Sequence, residues 1–412
     1  MALVLLIALT LSSCTSDSGG GKGTNLKFFI FNEPSGVLDT IAKDCSSSSN
    51  GSYNIQFEFL PSSADQQREQ LVRRLGAEDT TIDIMGMDVI WTGEFANAGW
   101  VEELTGETKA AVTEGVFPSV VETASFEEKL WAAPAWTNTQ LLWYRKDRID
   151  KPPETWEEMY KQAKQLGKNN LIEVQANRYE GLMVWFNAMV ESAGTSIVGP
   201  EDAQQVALDP AKTEEGLGLM VELAKSPFAD PSFSTSTEDT ARLAFEDGSA
   251  AFMLNYPFVF PSAKENAPKV FKQIATAPYP KVDPSKPSKP PLGGINLGVS
   301  SFSKNKQQAF EAIQCITQPK NQIRIAQAAG LPPVKEALYG TQGIKDAYPG
   351  FSDTLKQAVN SAAPRPVTPA YQDLTLAIQR TIHPLSDISD LGKRVEELRK
   401  NVEKALEREG LL

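Results

Sequence analysis

Asp88 and Trp91 close the four-residue run Asp88-Val89-Ile90-Trp91. A carboxylate accepts charge-assisted hydrogen bonds from adjacent hydroxyls, and an indole covers an apolar C–H face. Together they suit a ligand with polar edges and flat apolar sides. Other chemistries are bounded by scarcity. His383 is the single histidine in 412 residues, so a Ser-His-Asp triad is built on it or not at all. Cys14, Cys45 and Cys315 are the only cysteines, and no Cys-x-x-Cys occurs. A zinc site of His and Cys ligands cannot be assembled from that set. No metal, no cofactor and no catalytic residue is expected.

Forty Lys plus Arg against fifty-two Asp plus Glu leave a net charge of −12. Such a surface repels phosphate backbones, which excludes nucleic acid as a partner. At 41% hydrophobic and 22% charged, the chain can build a core, so a disordered class is excluded. Residues 2–11 are almost wholly apolar. They are too few to span a bilayer, which takes about twenty, and suit the h-region of a secretory signal. Small residues then lead to Leu11-Ser12-Ser13-Cys14, which resembles a bacterial lipobox. Residues 1–14 are therefore read as a signal peptide whose Cys14 is lipidated. Residues 15–24, rich in Gly and Ser, are read as a flexible tether. No basic segment precedes Ala2, which points to a start upstream of Met1. The expected location is extracytoplasmic, on a membrane reached through the lipid anchor. In that oxidising compartment Cys45 and Cys315 either pair or remain two buried thiols.

A frame must position these groups. Strands are predicted at 26–31, 53–60 and 82–87, with helices at 37–44 and 66–75 between them. This β-α-β-α-β order implies a parallel sheet, on which ligands gather at the carboxyl ends of strands. Those ends are Asn32-Glu33 and Asp88 to Trp91. Further strands are expected at 129–134, 140–144, 250–254 and 295–300. Helices are expected at 156–167, 181–192, 213–225, 238–245, 306–318 and 388–409. Residues 277–294 contain six prolines and are read as an extended surface segment returning the chain to the first unit.

Five strings follow in a telling order. They are Ile82 to Asp88 ahead of Trp91, Asn138-Thr139-Gln140-Leu141-Leu142-Trp143-Tyr144, Ala244 to Met253, Gly293-Gly294-Ile295-Asn296-Leu297-Gly298, and Arg365-Pro366-Val367-Thr368-Pro369-Ala370-Tyr371. In this order and spacing the chain resembles the extracellular solute-binding proteins (family 1) of ABC sugar importers. Residues 88–100 and 137–144, with the cysteine pair, look most like actinobacterial trehalose-binding lipoproteins. The resemblance implies an α/β, two-lobed periplasmic-binding-protein-like fold with hinge strands between lobes. The N-terminal lobe would comprise 25–136 and 296–345, and the C-terminal lobe 137–295 and 346–412. A disaccharide would bind between the lobes of a monomer, and the closed form would meet the ABC permease. Carried over by position, the pattern implies sugar contacts at Asp88, Asn138, Glu238, Tyr256 and Arg365. Relatives can have Trp at the place of Tyr256. Asn32, Glu33, Gln67, Trp91, Gly293 and Tyr371 are further candidates.

Each has a structural alternative. Asp88 fits a helix N-cap, Trp91 and Tyr371 fit a core, Asn138 fits a turn, and Glu238 fits a helix start. Two function classes follow. One is a lipid-anchored receptor that captures a disaccharide, trehalose by resemblance, with a maltose or maltodextrin receptor as its variant. The other is a secreted glycoside hydrolase using Asp88 and Glu238.

Overall fold

In the computed structural model, residues 23–167, 171–199 and 202–407 are described. Cys14, the signal peptide and nearly all of the tether lie outside the described residues. Thr24–Phe31 buries Phe28, Phe29 and Ile30 in succession, as a parallel strand covered on both faces should. It pairs in parallel with Tyr53–Leu60 on one side and Ile84–Asp88 on the other. The crossovers are the helices Val37–Ser48 and Ala64–Leu75, which bury Leu38, Ile41 and Ala42, and Leu71 and Leu75, respectively. The expected β-α-β-α-β unit is therefore present. Pro291–Val299 then extends the sheet antiparallel to Ile84–Asp88, with Ile295 opposite Asp88. It also pairs with Ala133–Thr139.

A second sheet has the order Ile274–Ala277, Leu141–Arg145, Phe252–Asn255 and Ile172–Glu173. Helix Glu180–Ala193 serves this second unit and buries every residue except Glu191. Its neighbours include Pro210–Lys225 and Tyr371–Ile382. Two α/β lobes result. The chain passes between them at Gln140, which separates Ala133–Thr139 in one sheet from Leu141–Arg145 in the other. It returns between Ile274–Ala277 and Pro291–Val299. The short strand Ala363–Pro364, paired with Pro291 and Leu292, makes a third crossing.

The proline-rich stretch corrects an expectation. It is less of a surface segment than its composition suggests: Tyr279 is buried and packs on Trp156, with ring centroids 6.1 Å apart. Pairing begins at Pro291, the first residue of a strand, where a missing N–H is tolerated. Gly294 in the same strand has φ 136°, and a Cβ there would sit 2.3 Å from the Trp136 carbonyl oxygen. Two backbones approach at this point in a way that requires glycine.

Cys45, on Val37–Ser48, is bonded to Cys315, on Lys306–Ile316, across 270 residues of sequence. The bond places the returning chain on the first lobe. The C-terminal helix Leu391–Leu406 buries Val395, Leu398 and Val402 and leaves its charged face outward.

Candidate ligand-binding cleft

Between the lobes lies a cleft of about 570 Å³. Phe31, Asp65, Asp88, Trp136 and Asn138 line it from the first lobe; Tyr179, Glu180, Glu238 and Tyr256 line it from the second. Gly293 and Arg365 lie where the hinge strands meet. A larger hollow of about 930 Å³ runs along Leu391–Leu406, but apart from Val206 its walls are Glu, Lys, Arg and Gln side chains with no aromatic ring. It is a charged surface trough, and it lacks the mixed polar and aromatic lining that small-ligand sites use.

Arg365 organises the cleft. Its side chain is 4% exposed; Nη2 donates to Asp88 Oδ1 at 3.1 Å and Nη1 to Glu180 Oε1 at 2.6 Å. One guanidinium thus ties a first-lobe strand end to a second-lobe helix start. The Tyr371 hydroxyl donates to the same Glu180 oxygen, and Thr375 Oγ1 donates to the other at 2.9 Å. Burial raises the Glu180 carboxyl, while the Arg365 charge and the Tyr371 hydrogen bond oppose the rise. Burial works against the Arg365 cation, but the charge of Asp88 and the groups of Tyr371 and Glu180 hold it well above its ordinary value. Asp88 also accepts from Ile90 N at 3.3 Å, so it caps the turn Val89–Trp91 and holds Arg365 at once.

Glu238 opens the helix Glu238–Glu246, whose N-cap Thr237 forms a capping box with Thr240. It accepts from the Tyr179 hydroxyl at 2.7 Å. Burial raises its carboxyl, and the Tyr179 hydrogen bond pulls it back. Asn138 sits opposite Gly293 in the hinge ladder. Two polar atoms on this wall have no hydrogen-bond partner among the described residues: Asn138 Oδ1 and Arg365 Nε.

Asp88, Asn138, Glu238, Tyr256, Arg365 and Gly293 are thus brought to one cleft. The other sequence candidates are placed elsewhere. Trp91 is 2% exposed and stacks on Phe95, so it belongs to the core. Gln67 is buried and donates to the Ser62 carbonyl at 3.3 Å. Asn32 and Glu33 follow the cleft-lining Phe31 but are not on its wall, and the Glu33 carboxylate accepts from Ser35. Tyr371 is buried behind Glu180. Glu180, Tyr179, Trp136 and Phe31 line the cleft without having been singled out from sequence. A signal existed for Glu180: it is the one acidic residue opening an otherwise apolar helical run from Gly181 to Phe186. Trp136 and Phe31 pack edge to face at 6.4 Å and supply the aromatic surface assigned to Trp91.

A polar and aromatic cleft between two α/β lobes joined by crossing strands defines a two-lobed binding protein. Residues 50–323 match the family described as Bacterial extracellular solute-binding protein, and the chain belongs to that family. A Deinococcus radiodurans protein named "Probable ABC transporter-binding protein" is 28% identical over 326 residues, covering 75% of each chain. Among solved structures, maltose-bound MalE3 of T. maritima superposes with a TM-score of 0.81 at 24% identity, over 92% of this chain and 99% of that one. The maltotriose-bound maltotriose binding protein of Thermus thermophilus gives 0.73 at 21% identity, over 92% and 99%. The cyclic alpha-maltosyl-1,6-maltose binding protein of Arthrobacter globiformis gives 0.78 at 17% identity, over 94% and 100%. At these identities the likeness to solved structures is one of fold.

Proposed function

We propose that the protein is the receptor of an ABC sugar importer. It captures a disaccharide, trehalose in our reading, between its lobes and delivers it to the permease without breaking a bond. The carrying observation is the pair of buried unpartnered atoms, Asn138 Oδ1 and Arg365 Nε, on residues that line the cleft where the hinge strands meet. A buried unpaired polar atom is costly, and a hydroxyl-rich ligand satisfies both. Trp136, Phe31 and Tyr256 offer rings for the apolar faces of such a ligand. The ligand touches both lobes, so it favours the closed state over the open one. The units that move are residues 25–136 with 296–345, and 137–295 with 346–412. Cys14 carries the lipid that holds the receptor at the membrane, and the protein acts as a monomer.

The maltose and maltotriose bound by proteins of the same fold keep a maltodextrin as the second reading. Calorimetric titration with trehalose, maltose and maltotriose separates the two, and a parallel glucose assay tests for hydrolysis. Asp88→Ala and Asn138→Ala should each weaken binding by about 1–3 kcal/mol, as for loss of a charged or buried hydrogen-bond partner. Unchanged affinity in both would remove the cleft as the site. Glucose release abolished by Asp88→Asn would replace the receptor by an enzyme.

A further inference from the structure

Acidic side chains far outnumber basic ones on the cleft wall. Asp65, Asp88, Glu180, Glu238 and Asp239 line it against a single guanidinium, that of Arg365. The next layer does not restore the balance. Arg68 is bonded to Glu94 at 2.7 Å, and Arg242 is shared between Glu246 at 2.7 Å and Asp239 at 3.3 Å. Counting that layer, the five lining carboxylates with Glu94 and Glu246 make seven, against Arg365, Arg68 and Arg242. Two of the five N–H groups of Arg365 are bonded to Asp88 and Glu180, so its charge is already shared by two carboxylates. A neutral hydroxyl oxygen needs only a donor from Arg365, whereas a phosphate or a carboxylate needs a positive charge that Asp88 and Glu180 already offset. Hydroxyl and ammonium hydrogens, by contrast, meet acceptors on both walls.

We infer that the cleft is a charge filter that admits neutral and amine-bearing saccharides and rejects phosphorylated or carboxylated ones. The inference rests on the sugar reading above and adds to it the charge class of the ligand. It also gives a use to part of the chain's net charge of −12. Low-dielectric walls of one sign focus their field into the space between them, so an anion is repelled before it makes contact. Like charges brought together in a desolvated site are strongly disfavoured.

The test is calorimetric titration of the full chain at low and high salt. For whichever of trehalose and maltose binds, four forms are compared: the parent sugar, its amino-deoxy derivative, its 6-phosphate and its 6-O-methyl ether. The amine should bind at least as tightly as the parent. The phosphate should bind at least about a hundredfold more weakly at low salt, and the gap should shrink as salt screens the walls. The neutral ether controls for bulk and should bind within about tenfold of the parent. Asp65→Asn combined with Asp239→Asn, neither of which touches Arg365, should narrow the phosphate gap. The inference is overturned if the phosphate binds as well as the ether, or if ether and phosphate are rejected alike at every salt concentration. If neither neutral disaccharide binds, the sugar reading itself falls and this inference falls with it.

Discussion

Glu180 and Glu173 lie seven residues apart, both buried in the second lobe, yet their surroundings differ completely. Glu180 receives donors on both oxygens: Arg365 and Tyr371 on one, Thr375 on the other. Glu173, on the two-residue strand Ile172–Glu173, is 3% exposed, and its Oε1 has no partner among the described residues. Burial, then the charges of Asp230 and Asp247, push its carboxyl up to about 8. A buried carboxylate needs a cation and a full set of donors to stay ionised. Glu180 has them because it stands at the cleft, where one guanidinium serves both lobes. Glu173 lies away from the cleft and is held as a neutral acid at pH 7.

The strongest way to break the contrast is Arg365→Ala. It leaves Asp88 and Glu180 facing each other without the intervening cation. Loss of one member of a buried ion pair costs about 3–5 kcal/mol. Urea unfolding should show that loss, and sugar affinity should vanish with it. Arg365→Ala combined with Glu180→Gln should recover part of the stability but not the affinity. A stability change under about 1 kcal/mol for Arg365→Ala would mean that Glu180 is no better paired than Glu173.

Glu173→Gln probes the other side. The folded-state value near 8 lies above the ordinary 4.5, so the folded chain keeps a proton that the unfolded chain releases. Stability therefore falls as pH rises between about 4.5 and 8 and levels off beyond. The variant should lack this contribution and should exceed the natural chain by roughly 2–4 kcal/mol at pH 9, with little difference at pH 4.5. Thermal melts across that range provide the check. A variant whose pH profile parallels the natural one would remove Glu173 as the responsible group.

The same contrast shows what could be read from sequence. The first lobe was legible because its signals are local. Residues 24–88 alternate strand and helix periods, and the observed elements match them within a few residues. Asp88 was legible as a carboxylate at a strand end, and Gly293 and Asn138 through the strings that carry the resemblance. Trp91 misled because an aromatic three residues from a cleft and one in the core read alike; only packing on Phe95 decides. The pairing of Arg365 with Glu180 joins positions 185 residues apart, and no local period encodes it. Glu173 is also illegible: a Glu between apolar residues looks half-exposed until the sheet covers it. Strand pairing from Pro291 was hidden by prolines that a strand's first position tolerates.

A third carboxylate, Glu238, stands between the two extremes and allows the finest test. Among the described residues it has one side-chain donor, the Tyr179 hydroxyl, and no ion pair of its own. Burial lifts its carboxyl and Tyr179 lowers it, so Tyr179→Phe should let it rise further. The fold should persist, since the ring that packs is kept. Sugar affinity at pH 7 should fall by about 0.5–1.5 kcal/mol, the worth of one ordinary hydrogen bond. The pH dependence carries more information than that loss. If the ligand needs ionised Glu238, affinity drops as pH falls through its folded-state value, and removal of the Tyr179 donor moves that drop to higher pH. Titrations at several pH values between 4 and 8 would show the shift. Superimposable pH profiles would mean that Glu238 behaves like Glu173, a neutral acid the ligand ignores, and not like the paired Glu180.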